Sequence, residues 1–320
     1  MSDTTATVPS DPNKTILITG ASGFIGKNIA QYLKQKFTLL TPSHNDLDLL
    51  SRSEVNQFFL KNDIDMVIHC ANFGGTRKTM VTLGVIEKNT QMFFNLAENR
   101  DRYSRLITLG SGAEYNKNHN LQNVSENEFG KSIPADNYGL SKYIASTYID
   151  KTLNMYCLRL FGVFGKYEDY EFKFISNAIV KNLLHMPITI RQNVNFSWLY
   201  IDDFPKIIEY FLTHVPKYSA YNITPSSSTD LVSIAQLINS LSDFKSDICI
   251  ENDGLNREYS GDNSRLIKEI GDYPFTPMAT SIKNLIKYYS SILPDIDHKL
   301  IQKDPFAKNC KTNPNPKKEL

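Results

Sequence analysis

The sequence predicts an α/β protein with a doubly wound parallel sheet and a smaller α/β lobe at its C-terminal end. Strand-sized apolar segments alternate with segments of helical periodicity over the first half of the chain, which is typical of parallel sheets with helices on both faces. After about residue 166, helices mix with short strands. We therefore expect a sheet domain over 14–166 and a second lobe over 167–302, partly interleaved with it. The polar segments 1–13 and 303–320 are expected to be disordered.

Each element follows from its local pattern. Buried strands are expected where branched apolar residues run together, and helices where apolar residues recur every three or four positions. A polar loop is expected over 116–136. Strands are predicted at 16–18, 37–40, 65–71, 105–111, 154–165, 188–192 and 220–224, and helices at 24–33, 52–62, 82–100, 137–152, 172–185, 202–212 and 233–244.

A glycine-rich segment, TGASGFIG, joins the first predicted strand to the first predicted helix. Its glycines let the backbone turn sharply and approach another molecule closely. The first turn of the helix, with unpaired N–H groups and a partial positive charge, favours a phosphate. Because it lies between a strand and a helix, the segment predicts a nucleotide site. The predicted contacts are Gly20, Ser22, Gly23, Phe24, Ile25 and Gly26.

Composition bounds the class of protein. The 320-residue chain has a formal net charge of +1 and 41% hydrophobic residues, which are ordinary values for a globular protein. Neither a nucleic-acid partner nor a membrane partner is indicated by this charge, and no apolar run has the ~20 residues of a membrane span. The polar N-terminus lacks the apolar core of a signal peptide, so we expect a cytoplasmic protein. The four cysteines lie far apart, which predicts reduced thiols and no metal site.

Three side chains further along the chain predict acid–base chemistry. Tyr138 and Lys142 are four residues apart and therefore share one face of a predicted helix. A phenol ordinarily ionises near pH ~10, and a neighbouring ammonium would lower that pKa. Ser111, at the end of the fourth predicted strand, would hold a carbonyl or hydroxyl while Tyr138 transfers the proton. Tyr–Lys pairs are also common on solvated helices, so the prediction rests on the three residues together with the glycine turn.

The motifs TGASGFIG, DMVIHCA, GSGAEY, YGLSK, LRLFGVFG and LYIDD occur in this order between about residues 14 and 289. In these motifs the chain resembles the extended short-chain dehydrogenase/reductase family, in the branch that acts on nucleotide sugars. The resemblance implies a Rossmann-type sheet, a nicotinamide cofactor over the glycine turn, and catalysis by Ser111, Tyr138 and Lys142. It also implies a homodimer packed through the helices near 85–98 and 138–150.

The segment 44–75 is similar to the matching segment of GDP-fucose synthases, which reduce a 4-keto-6-deoxy sugar nucleotide with NADPH. This likeness implies that Ala71 and Asn72 bind the cofactor and that the substrate is a nucleotide sugar. The predicted substrate contacts are Gly74, Ser111, Gly112, Ala113, Arg191 and Arg257.

The loop after the second predicted strand bears on the choice of cofactor. NAD-specific Rossmann proteins usually carry an acidic residue at the end of that strand, for the ribose hydroxyls. This chain has Ser43 and His44 there, and Asp46 comes later. We therefore expect NADP, with its 2′-phosphate near Ser43, His44 or Lys27, and NAD stays possible.

Departures from the family narrow the reaction. Gly112 and Ala113 follow Ser111 at positions where dehydratases carry an acidic pair, so dehydration is not expected. Fucose synthases also epimerise the carbons beside the ketone with a cysteine and a histidine. Ala113 takes the position of the cysteine and Lys173 lies near that of the histidine, so proton exchange on these carbons is not expected.

The leading interpretation is therefore a reductase of the 4-keto group of a nucleotide-linked 4-keto-6-deoxyhexose. Phe196 takes the position of a family arginine for the sugar diphosphate, which makes Arg191 and Arg257 the candidates. An NAD-dependent 4-epimerase with the same residues is the alternative. A protein that only binds the cofactor is a third interpretation, but it would not need all three predicted catalytic side chains.

Overall fold

The computed structural model describes residues 13–74, 83–303 and 311–312. Most of the two segments expected to be disordered lies outside these residues, as do Gly75 and Cys310. Within the predicted disordered tail, Lys311–Thr312 forms a short strand.

Six parallel strands form the main sheet. They are β1 (Thr15–Thr19), β2 (Thr38–Leu40), β3 (Met66–His69), β4 (Arg105–Ser111), β6 (Met155–Leu160) and β10 (Ala220–Ile223). Their order across the sheet is β10-β6-β4-β3-β1-β2. The direction of winding reverses between β1 and β3, and sheets of this kind bind ligands at that switch point, beyond the carboxyl ends of the strands.

Helices cover both faces of the main sheet. They are α1 (Phe24–Leu33), α2 (Arg52–Lys61), α3 (Val85–Ala97), α4 (Asn137–Ile149) and α6 (Phe204–Thr213). The core of one face contains residues of α1 and α6, and the core of the other contains residues of α2, α3 and α4. Ile16, Leu17 and Ile18 of β1 are fully buried, because a strand covered on both sides has no solvated face. The predicted doubly wound α/β class is confirmed.

Two smaller sheets lie beside the main one. The first contains β5 (Leu121–Val124), β7 (Gly162–Phe164), β9 (Asn195–Tyr200), β11 (Ser228–Asp230) and β13 (Tyr259–Gly261), and the second contains β8 (Ile188–Asn193), β12 (Ile248–Leu255) and β14 (Lys311–Thr312). The helices of this region are α5 (Phe174–Leu183), α7 (Leu231–Leu241), α8 (Ser264–Ile270), α9 (Met278–Ile292) and α10 (His298–Gln302).

Two local predictions differ from the structure. The expected polar loop 116–136 contains β5, whose Leu121 and Val124 pack against Tyr115; the two residues between them are exposed, which gave the segment its polar character. The strand predicted over 154–165 is two strands. β6 stays in the main sheet, whereas β7 pairs with β9.

Candidate active site

The glycine turn lies against the end of β3, at the switch point of the main sheet. Gly20 has a left-handed φ of +68°, and a Cβ there would lie 2.6 Å from the backbone nitrogen of Ala71. A Cβ on Gly26 would lie 2.3 Å from the carbonyl oxygen of Gly20. These two positions therefore need glycine for the turn itself to close.

The N-terminus of α1 points out of this turn without a cap. Gly23 is its N-cap residue, and no side chain accepts a hydrogen bond from the first turn. Ser22 and Gly23 are exposed, while Phe24 and Ile25 are half-buried. Exposed N–H groups at a helix start form a place for a phosphate, and a Cβ on Gly23 would meet only the carbonyl oxygen of Gly20, at 3.4 Å.

A groove of about 320 Å³ continues from the turn. Besides Gly20 and Ser22, the residues predicted to bind the cofactor that line it are Ser43, His44, Ala71 and Asn72. The backbone N–H of Ala71 approaches the hydroxyl of Thr19 at 3.4 Å, and the Asn72 amide donates to the carbonyl of Gly74 at 2.8 Å. The turn and the groove fit a nicotinamide dinucleotide: phosphates at the open helix start, and the remainder along the ends of β1 to β3.

The loop after β2 brings carboxylates to the residues expected to face a 2′-phosphate. The backbone N–H and the hydroxyl of Ser43 both donate to the carboxylate of Asp46, at 2.9 and 2.6 Å, and these bonds lower the pKa of Asp46. His44 lies 3.9 Å from Asp48. The ammonium of Lys27 lies over the ring of Tyr167 instead of in the groove. Asp46 follows the strand end in the sequence, but its carboxylate contacts Ser43 at that strand end.

Ser111, Tyr138 and Lys142 occupy neighbouring elements at the carboxyl end of β4. Ser111 is the last residue of β4, and its side chain interacts with the phenol of Tyr138 in the first turn of α4. The ammonium of Lys142 donates to the carbonyl of Leu109 at 2.9 Å and lies 5.8 Å from the centre of the Tyr138 ring. The three residues are therefore together at the sheet edge where ligands bind.

Burial sets the protonation of this group. It raises the pKa of Tyr138 to about 12, with the hydrogen bond to Ser111 acting in the opposite direction. Burial also lowers the pKa of Lys142, although the charge of Glu114 acts to raise it. Removal from water thus shifts the pKa of Tyr138 in the direction opposite to that expected from a neighbouring ammonium.

A buried ion pair lies behind Ser111. Glu114 is fully buried; its carboxylate accepts the N–H of Ser111 at 2.8 Å and pairs with Arg159 on β6 at 2.6 Å. The hydroxyl of Ser146 on α4 also donates to Glu114, at 2.6 Å. This network joins β4, β6 and α4, so it fixes the backbone of Ser111 relative to the helix that carries Tyr138.

A second cavity, of about 1180 Å³, opens over Ser111 and Tyr138. Ala113, Lys173, Arg191 and Arg257 also line it, as does Phe196. Both arginines are exposed, and the guanidinium of Arg257 donates to the carbonyl of Asn118. A guanidinium pairs well with phosphate, so both stay predicted contacts of a diphosphate.

Two of the predicted substrate contacts are not among the residues that line this cavity. Gly74 has a left-handed φ of +78° in the turn after β3. Gly112 is buried, and a Cβ there would lie 2.5 Å from the ring of Phe161 and 2.8 Å from the hydroxyl of Tyr259. Gly112 therefore makes room for side chains of the site and does not itself line the cavity.

The cavity also contains residues that the sequence did not single out. Tyr259 on β13 lies with its hydroxyl 3.3 Å from that of Ser111. Lys117 pairs with Asp136 at 3.4 Å beside Tyr138. Glu168 is buried and accepts a 2.5 Å hydrogen bond from Ser176. Burial raises the pKa of Glu168 to about 8.

In the part of the chain that the structure describes, no three His, Cys, Asp or Glu side chains lie close enough together to hold a metal ion. Over the same residues, no helix combines the length and the apolar composition needed to cross a bilayer.

Comparisons with known proteins agree with this fold. A GDP-L-colitose synthase from Yersinia pseudotuberculosis is 24% identical over 226 residues, which cover 63% of this chain and 73% of that protein. A GDP-L-fucose synthetase from Naegleria fowleri bound to NADP has a TM-score of 0.78 at 16% identity, covering 92% of this chain and 98% of that chain. UDP-glucose 4-epimerase from Thermotoga maritima has a TM-score of 0.77 at 16% identity, covering 88% of this chain and 100% of that one.

These structural likenesses confirm the Rossmann-type fold. The model of the NAD dependent epimerase/dehydratase family matches residues 16–224, a range that includes the glycine turn and the three predicted catalytic side chains. The chain therefore belongs to the NAD-dependent epimerase/dehydratase family.

Proposed function

We propose that this protein reduces the 4-keto group of a nucleotide-linked 4-keto-6-deoxyhexose, in the biosynthesis of a deoxysugar. The observation that carries the proposal is the position of Ser111 and Tyr138 in the wall of the large cavity, with Lys142 beneath them. The charge of Lys142 acts on His69 and Cys70 at the end of β3, and the two residues that follow, Ala71 and Asn72, line the smaller groove. The similarity to a GDP-L-colitose synthase supports a sugar-nucleotide substrate.

Each residue has a definite part in this reaction. The bound nicotinamide would supply the hydride. Ser111 would donate a hydrogen bond to the ketone oxygen, and Tyr138 would protonate that oxygen as negative charge develops on it. Tyr138 can act as the acid because a phenol is protonated at neutral pH, and burial raises its pKa further. Lys142, held by the carbonyl of Leu109, would stabilise the phenolate that is left.

The direct test is turnover with a panel of CDP-, GDP- and dTDP-linked 4-keto-6-deoxyhexoses. We expect at least one of them to be reduced, with loss of the absorbance of the reduced nicotinamide. A 4-epimerase would instead interconvert 4-hydroxy nucleotide sugars without net consumption of cofactor. Epimerisation of a 4-hydroxy nucleotide sugar, with no reduction of any ketone in the panel, would contradict the proposal.

We further propose that reduction leaves the protons on the adjacent carbons in place. Ala113 has no ionisable atom, and Lys173 is exposed at the start of α5. Run in heavy water with unlabelled reduced cofactor, the reaction should place no deuterium on those carbons, as read by NMR of the product. Glu168→Gln is the matched control, because Glu168 is the buried carboxyl of the cavity wall. Deuterium that appears with wild-type protein and vanishes with this variant would identify Glu168 as a base.

We propose NADPH as the preferred reductant, since no acid directly ends β2 and Ser43 and His44 line the groove. Asp46 opposes this preference, because its carboxylate lies on Ser43 and would repel a 2′-phosphate. Calorimetric titration should show tighter binding of NADPH than of NADH. Asp46→Asn should increase the preference for NADPH, measured as the Kd of NADH divided by the Kd of NADPH. An unchanged ratio would place the 2′-phosphate away from Ser43.

We also propose a homodimer that packs through the outer surfaces of α3 and α4. The two helices lie side by side on one face of the main sheet. Light scattering should give twice the 36.4 kDa mass of the chain. The monomer mass at micromolar concentration would contradict this assembly.

A further inference from the structure

Tyr259 reaches the catalytic serine from a distant part of the chain. It lies on β13, and its ring is held between Phe161 and Phe196, with ring centres 5.1 and 5.7 Å away. These contacts fix the direction of its hydroxyl, which lies 3.3 Å from the hydroxyl of Ser111. Catalytic hydrogen bonds without bound substrate are often this long and shorten in the reactive complex.

The local packing admits this approach only because residue 112 is glycine. A Cβ at Gly112 would lie 2.8 Å from the hydroxyl of Tyr259 and 2.5 Å from the ring of Phe161. The backbone φ of Gly112 is not left-handed, so no turn requires a glycine there. The need for space beside Ser111 is therefore a sufficient reason for this residue.

The donors around Ser111 decide where its own proton points. A serine hydroxyl has one proton and two lone pairs. The N–H of Ala113 donates to this oxygen at 3.2 Å. Burial raises the pKa of Tyr259, so its phenol keeps a proton to donate. If Tyr259 donates to the second lone pair, the oxygen of Ser111 has no acceptor site left, and its proton must point to the ketone or to Tyr138.

We propose that Tyr259 is a positioning residue, whose hydroxyl donates to Ser111 and thereby directs the serine proton toward the substrate ketone. The proposal rests on the proposed function. Hydrogen bonds in a chain strengthen one another, so Ser111 becomes a better donor to the developing oxyanion. Tyr259 acts through Ser111 and need not contact the reacting carbon.

The test is a double-mutant cycle of Tyr259→Phe and Ser111→Ala. Phenylalanine keeps the ring contacts and removes only the hydroxyl. We expect Tyr259→Phe alone to lower kcat by about three- to tenfold, with KM for the sugar nucleotide and the cofactor Kd unchanged. In the Ser111→Ala background the same substitution should have no effect on kcat. Tyr210→Phe is the control, because that hydroxyl donates to the carbonyl of Glu269, away from the cavity.

A second cycle, on urea unfolding, separates this proposal from the proposed reaction. The two substitutions together should lose less stability than the sum of their separate losses, because they remove one shared hydrogen bond. Additive losses, or an equal fall of kcat in both backgrounds, would overturn the positioning role. The stability losses of the two variants could be coupled while the wild-type protein turns over no nucleotide sugar. That result would overturn the proposed reaction and leave the Tyr259–Ser111 contact in place.

Discussion

Removal from water shifts the pKa values of both Tyr138 and Lys142. Burial drives their pKa values toward the neutral form of each side chain, upward for the phenol and downward for the ammonium. We therefore expect Tyr138 to hold its proton until negative charge develops on a bound oxygen.

Tyr138→Phe should therefore abolish most turnover and leave the structure intact. The loss of a general acid costs about 10²–10⁴ in rate. The binding of reduced cofactor, followed by calorimetry, should stay close to that of the wild type, since the ring remains. Turnover near the wild-type value would remove Tyr138 from the mechanism.

At this scale the sequence predicts some residues and misses others, for a physical reason. Tyr138 and Lys142 could be paired from their spacing along one helix, and Ser111 from its place at a strand end. Tyr259 could not be found in this way, because its contact with Ser111 spans 148 positions of the sequence. The high pKa of Glu168 is equally hidden, since it depends on burial that no local pattern records.

In the turn between β1 and α1, two glycines are needed for the backbone to pack and a third is exposed at the helix start. Gly26 lies against the carbonyl of Gly20, whereas Gly23 is exposed at the helix start. The same amino acid thus serves packing at one position and access to the helix N-terminus at the other.

Alanine substitutions should distinguish the two roles. Gly26→Ala forces a methyl against a backbone oxygen and should cost about 1–3 kcal/mol of unfolding free energy. Gly23→Ala should cost about 1 kcal/mol or less, yet weaken cofactor binding about tenfold by obstructing the approach of a phosphate. Urea unfolding and calorimetry measure the two effects. Equal loss of stability in both variants, with cofactor binding unaffected, would contradict the assignment.

Periodicity predicted the elements of the main sheet well, because their strands are continuously apolar. It failed for β5 and β13, which are short and pair with strands far along the chain. Their pairing gives no period of its own, so only the folded chain shows that they bring Tyr259 into the site.

For the molecule as a whole, Glu168 links stability to pH. Its carboxyl has a pKa raised by burial from 4.5 to about 8. Between these pH values the unfolded chain has lost the proton and the folded chain still holds it. Rising pH therefore favours unfolding across that interval, and this contribution to stability is complete only below about pH 4.5.

Glu168→Gln should remove this dependence. Relative to wild type, the variant should gain stability as pH rises from 5 to 8, by up to about 1.4 kcal/mol for each pH unit. Urea unfolding of both proteins at several pH values gives the difference directly. A difference that stays constant over this interval would show that Glu168 ionises normally in the folded protein.

The position of β10 has a consequence for the order in which the chain can be synthesised and folded. β10 forms the edge of the main sheet beside β6, and the N–H of Cys157 donates to the carbonyl of Ser219 just before it. Asn222 in this strand accepts the hydroxyl of Tyr115 and donates to the carbonyl of Val124. A growing chain thus keeps the edge of β6 open, and the hydroxyl proton of Tyr115 without its acceptor on Asn222, until residue 223 has left the ribosome. Until then, the open edge of β6 can pair with another chain.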